Sequence, residues 1–378
     1  MSSPGYHAMM AETTHDEAAR FDFVCTFKQH VAGDLAPGNR TVFEREVEPL
    51  FVRAHNRPPS NRHEVRDGMR ENGYWRMYGS LFRLCQELLQ DYGEETVYRQ
   101  IGGLIDKARG YRDRATKGSL RLDARLEIPH YHTGVDTHCQ PGGYHTDRGP
   151  DDVSAGAMYD PTVYHFAMGA LGDYNDDMAV SLIRWLGDEH PGFLPRRILD
   201  MGCSVGHSTI PYTVAFPYAE VCAIDVAAPV LRYAHARAEA MGHAVHFTQQ
   251  NAERTSFEDG SFDLIVSHIL LHETSRQAIY NIMKESHRLL SPGGMVLHVE
   301  APVHNDALEP YDAFMHDWAT HYNAEPFWGT LHDMELEEPA LQAGFAKDNV
   351  IDAYASKESG GGIGLTGGIA WHLYGGRK

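Results

Sequence analysis

Two acids and two glycines stand where a chain could cradle a ligand. In the stretch DMGCSVGHST, Asp200 closes an apolar run, and Gly202 and Gly206 follow before a helical pattern begins. The next apolar run, AEVCAID, closes on Asp225. Glycines at a strand-to-helix turn let the backbone bend and approach a ligand closely, and a helix starting near His207 would offer free amides to an anionic group. The dinucleotide pattern G-x-G-x-x-G is not met, because Cys203, Ser204 and Val205 separate the two glycines. An acid ending the second strand can take both hydroxyls of a ribose, so the pattern fits an adenosine with a charged amino-acid tail. Singly, Asp200 could cap a helix and Asp225 could be a surface residue at a strand end. Their joint spacing with the glycines and with the later NAE argues for a ligand.

A second concentration of chemistry lies in SHILLHETS, where His268, His272 and Glu273 follow a strand. A histidine or a carboxylate there could accept a proton from a substrate. A third lies in IPHYHTGVDTHCQPGGYHTDRG, residues 128–149. His130 and His132 would share a strand face, and His138, Cys139, His145 and Asp147 add further donors, but no pair has a spacing tied to a metal site, so no metal is assigned. The segment reads as a loop between two halves of the chain, with Tyr144 and His145 lining the substrate mouth. The candidate catalytic set is therefore His272, Glu273, His145 and Tyr144. The stretch HNDALEPYDAFMHDWATHYNAEPFW is longer than a crossover needs and suggests a lid, with Met315, Trp318, Tyr322, Phe327 and Trp328 walling an apolar or aromatic substrate. The glycine-rich SGGGIGLTGG reads as a flexible loop inside the last hairpin.

The elements that must position these residues change character along the chain. Before about residue 150 the apolar spacing is helical, as in NGYWRMYGSLFRLCQELLQDYG, with Trp75, Met77, Leu81, Leu84, Leu88 and Leu89 expected on one face. The RPPS stretch, Arg57 to Ser60, should break one helix and cap the next. From residue 195 short apolar runs alternate with helical stretches starting near His207, Ala227, Ser275 and Leu331, the pattern of a parallel sheet with crossovers. Seven runs, RRILDMG, AEVCAID, AVHFTQQ, SFDLIVSH, GMVLHVE, DNVIDAYA and IAWHLYG, predict seven strands, with SPGG as a turn before the fifth. The expected fold is α/β: a Rossmann-like, seven-stranded, doubly wound sheet over residues 151–378, preceded by a mainly helical cap or substrate domain over 1–150.

In order, ILDMGCSVGHST, AIDVA, QQNAERTSFEDGSFDLIVSHILLHE and LLSPGGMVLHVE resemble the motifs of class I S-adenosylmethionine-dependent methyltransferases of the small-molecule type, over roughly residues 155–378. The resemblance implies S-adenosyl-L-methionine as cofactor. It places Asp200 and Gly202 near the methionine part, Asp225 on the ribose and Val226 against the adenine, with Asn251 and Ala252 at the adenine edge. The backbone near His268 would receive the ammonium. Gly206 continues the loop, and Ser204 stands where many members have a second glycine. Asn251 replaces the more usual aspartate.

Composition narrows the partners. Against 33 Lys+Arg, 52 Asp+Glu give a net charge of −19, which repels a phosphate backbone and anionic lipid alike. No nucleic acid or membrane is expected as partner; a small-molecule substrate is, with a homodimer open. Five cysteines without a CxxC pair, a start unlike a signal peptide and no apolar run near the ~20 residues of a membrane span point to the cytoplasm. Three other readings use the same features: a cofactor-binding sensor or scaffold without transfer, a metal-assisted methyltransferase, and an NAD-type oxidoreductase.

Overall fold

Strand pleating sends successive side chains to opposite faces, and the apolar runs use both. Ile198, Leu264 and Leu297 enter one core with Met178, Leu182 and Leu231, while their neighbours Leu199, Ile265 and Val296 enter the other with Ile279, Met283 and Ala340. A sheet buried on both faces and flanked by helices results, as near-continuous apolar strands require. The computed structural model describes residues 4–114, 116–301, 308–358 and 370–378.

The strands are β1 (Ser119–Arg121), β2 (Arg197–Met201), β3 (Glu220–Asp225), β4 (His246–Gln249), β5 (Phe262–His268), β6 (Leu290–Glu300), β7 (Val350–Ser356) and β8 (Ala370–Arg377). They form one sheet in the order β1-β4-β3-β2-β5-β6-β8-β7. Pairing is parallel from β1 to β6, and β8 runs antiparallel to both β6 and β7. The order reverses between β2 and β5, and the crevice at their carboxyl ends is where an open α/β sheet receives a ligand.

All seven expected strands are present, and the sheet adds an eighth. β1 comes from the half expected to be helical, where three residues pair with the edge of β4; so short a run carries no readable alternation. Ser291–Gly294 is not a separate turn but the irregular start of β6, with Gly293 at φ 84° and a register shift opposite Phe262 and Leu264. The helix after the glycine turn starts at Ile210, not near His207, because residues 204–209 are spent on turns. The later helices begin at Ala228 and at Arg276, the latter capped by the Ser275 hydroxyl, which accepts the Ala278 N–H.

The N-terminal region is mainly helical, with Gly73–Tyr98 as its longest helix. Its buried face is Trp75, Tyr78, Phe82, Cys85 and Leu89, whereas Met77 and Leu84 are exposed. The expected face holds at Trp75 and Leu89, with Leu81 and Leu88 half-buried against the same core, and fails at Met77 and Leu84, where aromatic Tyr78 and Phe82 offer more area to bury. The RPPS break is present, but Asn61, not Ser60, caps the helix Arg62–Met69, accepting the Glu64 N–H, while Ser60 donates its N–H to the Glu64 carboxylate. Tyr311, Phe314 and Trp318 pack into this same helical core. The SGGGIGLTGG loop and the first residues of the expected lid, 304–307, lie outside the described residues.

Candidate active site

The carboxyl ends of β2, β3 and β5 and the turn after β4 enclose a cavity lined by Asp200, Gly202, Ser204, Asp225, Val226, Asn251, Ala252 and His268. Eight residues singled out in the sequence for the cofactor thus meet at one place; Gly206 stands behind them in the turn and does not line it. The turn is tight. Gly202 has φ 71°, and a Cβ there would lie 2.6 Å from Leu270 Cδ1. Ser204 also takes left-handed backbone, at φ 46°, where a glycine would sit without strain.

Asp225 organises the turn. Its carboxylate accepts the Ser204 N–H at 3.0 Å and the Ala227 N–H at 2.9 Å. Burial raises its pKa against the pull of those amides, and the residue lines the cavity. Asp200 is 1% exposed; one oxygen accepts the Thr209 hydroxyl at 2.5 Å. Its other oxygen, Oδ1, lacks a hydrogen-bond partner, as does His268 Nδ1 3.5 Å away. A buried acceptor without a donor is costly, and a ligand ammonium would complete it. The donor set therefore fits a cofactor with ribose hydroxyls and an α-amino group. Asn251 spends its side-chain oxygen on the Glu253 N–H at 2.8 Å.

A buried anchor that the sequence did not flag holds the turn from behind. Asp160, in the helix Ser154–Phe166, pairs with His7 at 2.8 Å and His207 at 2.6 Å, accepts the Tyr233 hydroxyl at 2.8 Å and lies 3.4 Å from Arg237. Although burial works against its charge, His207 and Arg237 hold its carboxyl well below the usual range. This ties the N-terminal segment and two helices to the glycine turn.

A second cavity adjoins the first, with Tyr144, Tyr159, Val163 and Ile269 in both walls. It is mostly apolar, walled by Phe166, Trp318 and Trp328 among others. Of the five expected lid residues, four aromatics and a methionine, Trp318 and Trp328 reach it. Met315 and Tyr322 pack on the helical core, and Phe327 stands edge-on to Tyr131.

At the junction His138, His272, Glu273 and Glu325 come together. His272 Nδ1 donates to Glu300 at 2.6 Å, and the other Glu300 oxygen accepts the Leu271 N–H at 2.7 Å. Burial opposes charge on His272, yet Glu300, Glu273 and Glu325 lift its pKa to about 9. Burial raises the Glu273 carboxyl to about 7 against the two histidines. Tyr144 meets His138 Nδ1 at 2.5 Å, and Gln86 and Gln90 donate to the His138 carbonyl, holding that residue at φ 53°. Trp328 stands edge-on to His272 at 4.9 Å.

Of the expected catalytic set, His272, Glu273 and Tyr144 gather here and His145 does not. Its ring lies 5.6 Å from that of His132, with a buried Nδ1 lacking a partner. Asp147 is taken by Arg232, and His130 and His132 share a short helix rather than a strand face. Glu300 and Glu325 were missed. A glutamate ending an otherwise apolar strand, HVE, was the available signal for the first; Glu325 reaches the cluster only through the fold of its loop.

Residues 198–294 match a sequence family described as a methyltransferase domain. A demethylmenaquinone methyltransferase of Thermus thermophilus is 33% identical over 108 residues, 29% of this chain and 48% of that protein. A ubiquinone biosynthesis O-methyltransferase of Pseudomonas aeruginosa is 30% identical over 115 residues, 30% of this chain and 47% of that one. The solved phosphoethanolamine N-methyltransferase 2 of Haemonchus contortus is 21% identical with a TM-score of 0.39, covering 50% of this chain and 42% of that one. The chain spans about half the length of the curated relatives it matches. No helix among the described residues is long and apolar enough to cross a membrane. With the strand order, the acid-bearing glycine turn and this match, residues 198–294 are identified as part of a class I S-adenosylmethionine-dependent methyltransferase domain.

Proposed function

We propose that this chain transfers a methyl group from S-adenosylmethionine to a small, apolar or aromatic acceptor held in the second cavity. The observation that carries this reading is the wall shared by the two cavities through Tyr144, Tyr159 and Ile269, which sets a ligand of the first against a ligand of the second. When bound, the cofactor supplies an electrophilic methyl group on a sulfonium centre. Asp225 would accept the ribose hydroxyls, and Asp200 the ammonium beside His268. Val226, Asn251 and Ala252 would border the adenine, and the turn through Gly202, Ser204 and Gly206 lets the backbone pass close.

Methyl transfer depends mainly on holding the acceptor in line within a dry cavity. Phe166, Trp318 and Trp328 would hold an apolar body, while Tyr144, His272 and Glu273 face its reacting end. Relatives named for demethylmenaquinone and ubiquinone biosynthesis favour an aromatic acceptor. The region 1–150 acts in this reading as the substrate cap, because Gln86, Gln90, His138 and Tyr144 come from it. A reducing cytoplasm suits its five unpaired cysteines.

The test pairs calorimetry with a labelled-methyl screen. S-adenosylhomocysteine should bind and NAD should not, and label should pass to a compound of low mass identified by mass spectrometry. Tight NAD binding without binding of the sulfonium product overturns the reading; cofactor binding with no transfer to any acceptor favours a sensor.

A further inference from the structure

The junction cluster has the arrangement of a ligand shell. His138 Nε2 lies 3.4 Å from Glu273 Oε1 and 3.2 Å from Glu325 Oε1. From another side, His272 Nε2 lies 3.8 Å from Glu273 Oε1 and 4.0 Å from Glu325 Oε2. Donors bonded to one ion at about 2.0–2.2 Å in a tetrahedral array stand roughly 3.4 Å apart; the two His138 separations agree with that figure, and His138, Glu273 and Glu325 each offer a ligand atom within 4.8 Å of the others.

The outer partners are in place as well. A metal-ligating histidine fixes its other ring nitrogen on a carboxylate or similar group. Here His138 Nδ1 is held by Tyr144 at 2.5 Å, leaving Nε2 for the centre, and the neighbouring His272 is fixed through Nδ1 by Glu300 at 2.6 Å. Asn323 donates Nδ2 to Glu325 and is 1% exposed, with a buried Oδ1 that lacks a partner; it too lines the second cavity.

Charge argues the same way. Glu273, Glu300 and Glu325 are gathered in one enclosed place, and among the described residues their ion pairs are with histidines alone. Gathered carboxylates away from water need compensating charge, and among the described residues no lysine or arginine pairs with them, so the histidines must carry it as protonated rings. A dication would supply the same charge with a neutral imidazole as its ligand. Two of the loops that bring the donors pass through left-handed backbone at residues other than glycine, at His138 and Ala324, a strain that is kept where the surroundings over-determine it.

We propose that His138, Glu273 and Glu325 bind one divalent transition-metal ion, with His272 standing beside them, and that its open position takes an oxygen of the acceptor. The mixed imidazole and carboxylate set suits Mn²⁺, Fe²⁺ or Zn²⁺. The second half of this proposal rests on the methyl-transfer reading; the first does not. An acceptor oxygen would then be held and polarised by the ion, in place of a proton exchange at His272 Nε2. The acceptor class narrows to molecules whose methylated or neighbouring group carries oxygen.

The full chain, stripped with chelator and dialysed, is titrated with Mn²⁺ and followed by loss of the free-ion paramagnetic resonance signal. One Mn²⁺ per chain is expected, displaced by Zn²⁺. Glu325→Gln and His138→Ala should each weaken binding at least about tenfold. Glu325→Gln, outside the first cavity, should keep S-adenosylhomocysteine affinity, and wild-type circular dichroism and urea midpoints within about 1 M of wild type should report that both variants are folded. No saturable binding of Mn²⁺ or Zn²⁺ to wild type, or equal binding by both variants, overturns the metal site and leaves a network of protonated histidines and carboxylates. Metal binding without binding of S-adenosylhomocysteine keeps the site and overturns the methyl-transfer reading instead.

Discussion

Asp225→Ala probes the cofactor cavity most directly, because the carboxylate has two separable tasks. In the ligand-free chain it accepts the Ser204 and Ala227 amides at 3.0 and 2.9 Å. Leaving a buried donor unpaired costs about 1–3 kcal/mol, so alanine should lower stability by roughly 2–4 kcal/mol, the turn's access to water sparing part of the sum. With cofactor bound, the same group would also accept two ribose hydroxyls. Hydrogen bonds to an ionised acceptor contribute about 1.5–3 kcal/mol each, so their loss should weaken S-adenosylhomocysteine by at least ~100-fold. Asp225→Asn keeps one acceptor oxygen and the side-chain volume, and should weaken binding by roughly 10–100-fold with a smaller loss of stability. Calorimetric titration of both variants, beside urea denaturation of each, separates the two tasks. Affinity within threefold of wild type in a folded Asp225→Asn would refute the placement of the ribose.

Three further outcomes follow from single contacts. Gly202→Ala puts a Cβ 2.6 Å from Leu270 in backbone at φ 71°; the left-handed cost and the overlap together should remove about 2–4 kcal/mol in denaturant melts and depress cofactor affinity. Asp160→Asn leaves His207 and Arg237 facing a neutral amide, so stability should fall by about 3–5 kcal/mol, and a midpoint equal to wild type would remove the anchor from the argument. Lys28 is buried, donating to the Phe166 carbonyl at 2.7 Å, and burial lowers its pKa to about 7. Between that value and the ordinary 10.5 the unfolded chain holds the extra proton, so this group's contribution to stability rises with pH, by at most ~1.4 kcal/mol per unit. The stability difference between wild type and Lys28→Met should grow in favour of wild type from pH 7 to 9; a flat difference would refute the burial argument.

Local pattern made much of the fold legible. Short apolar runs alternating with helical stretches require a buried parallel sheet whatever surrounds it, so all seven expected strands are found. Asp200, Gly202 and Asp225 were readable because each sits at a strand end, where the topology alone brings them to one crevice. β1 was not, since three residues on a sheet edge are held by the partner strand and not by their own preference. The burial stripe of Gly73–Tyr98 was legible in part, at Trp75 and Leu89 but not at Met77 and Leu84, because helical spacing admits several adjacent faces and the packed neighbours choose one.

The sequence by itself therefore determined seven of the eight strands, their parallel α/β character and the residues that meet at the crevice, because those follow from periodicity and from strand ends. Only the tertiary structure decided the junction cluster. His138, His272, Glu300 and Glu325 stand on separate segments, as far apart in sequence as 187 positions for His138 and Glu325, so no spacing relates them. Their chemistry exists only once long-range packing closes the loops and removes the water between them, and that closure depends on the whole fold rather than on any stretch of chain.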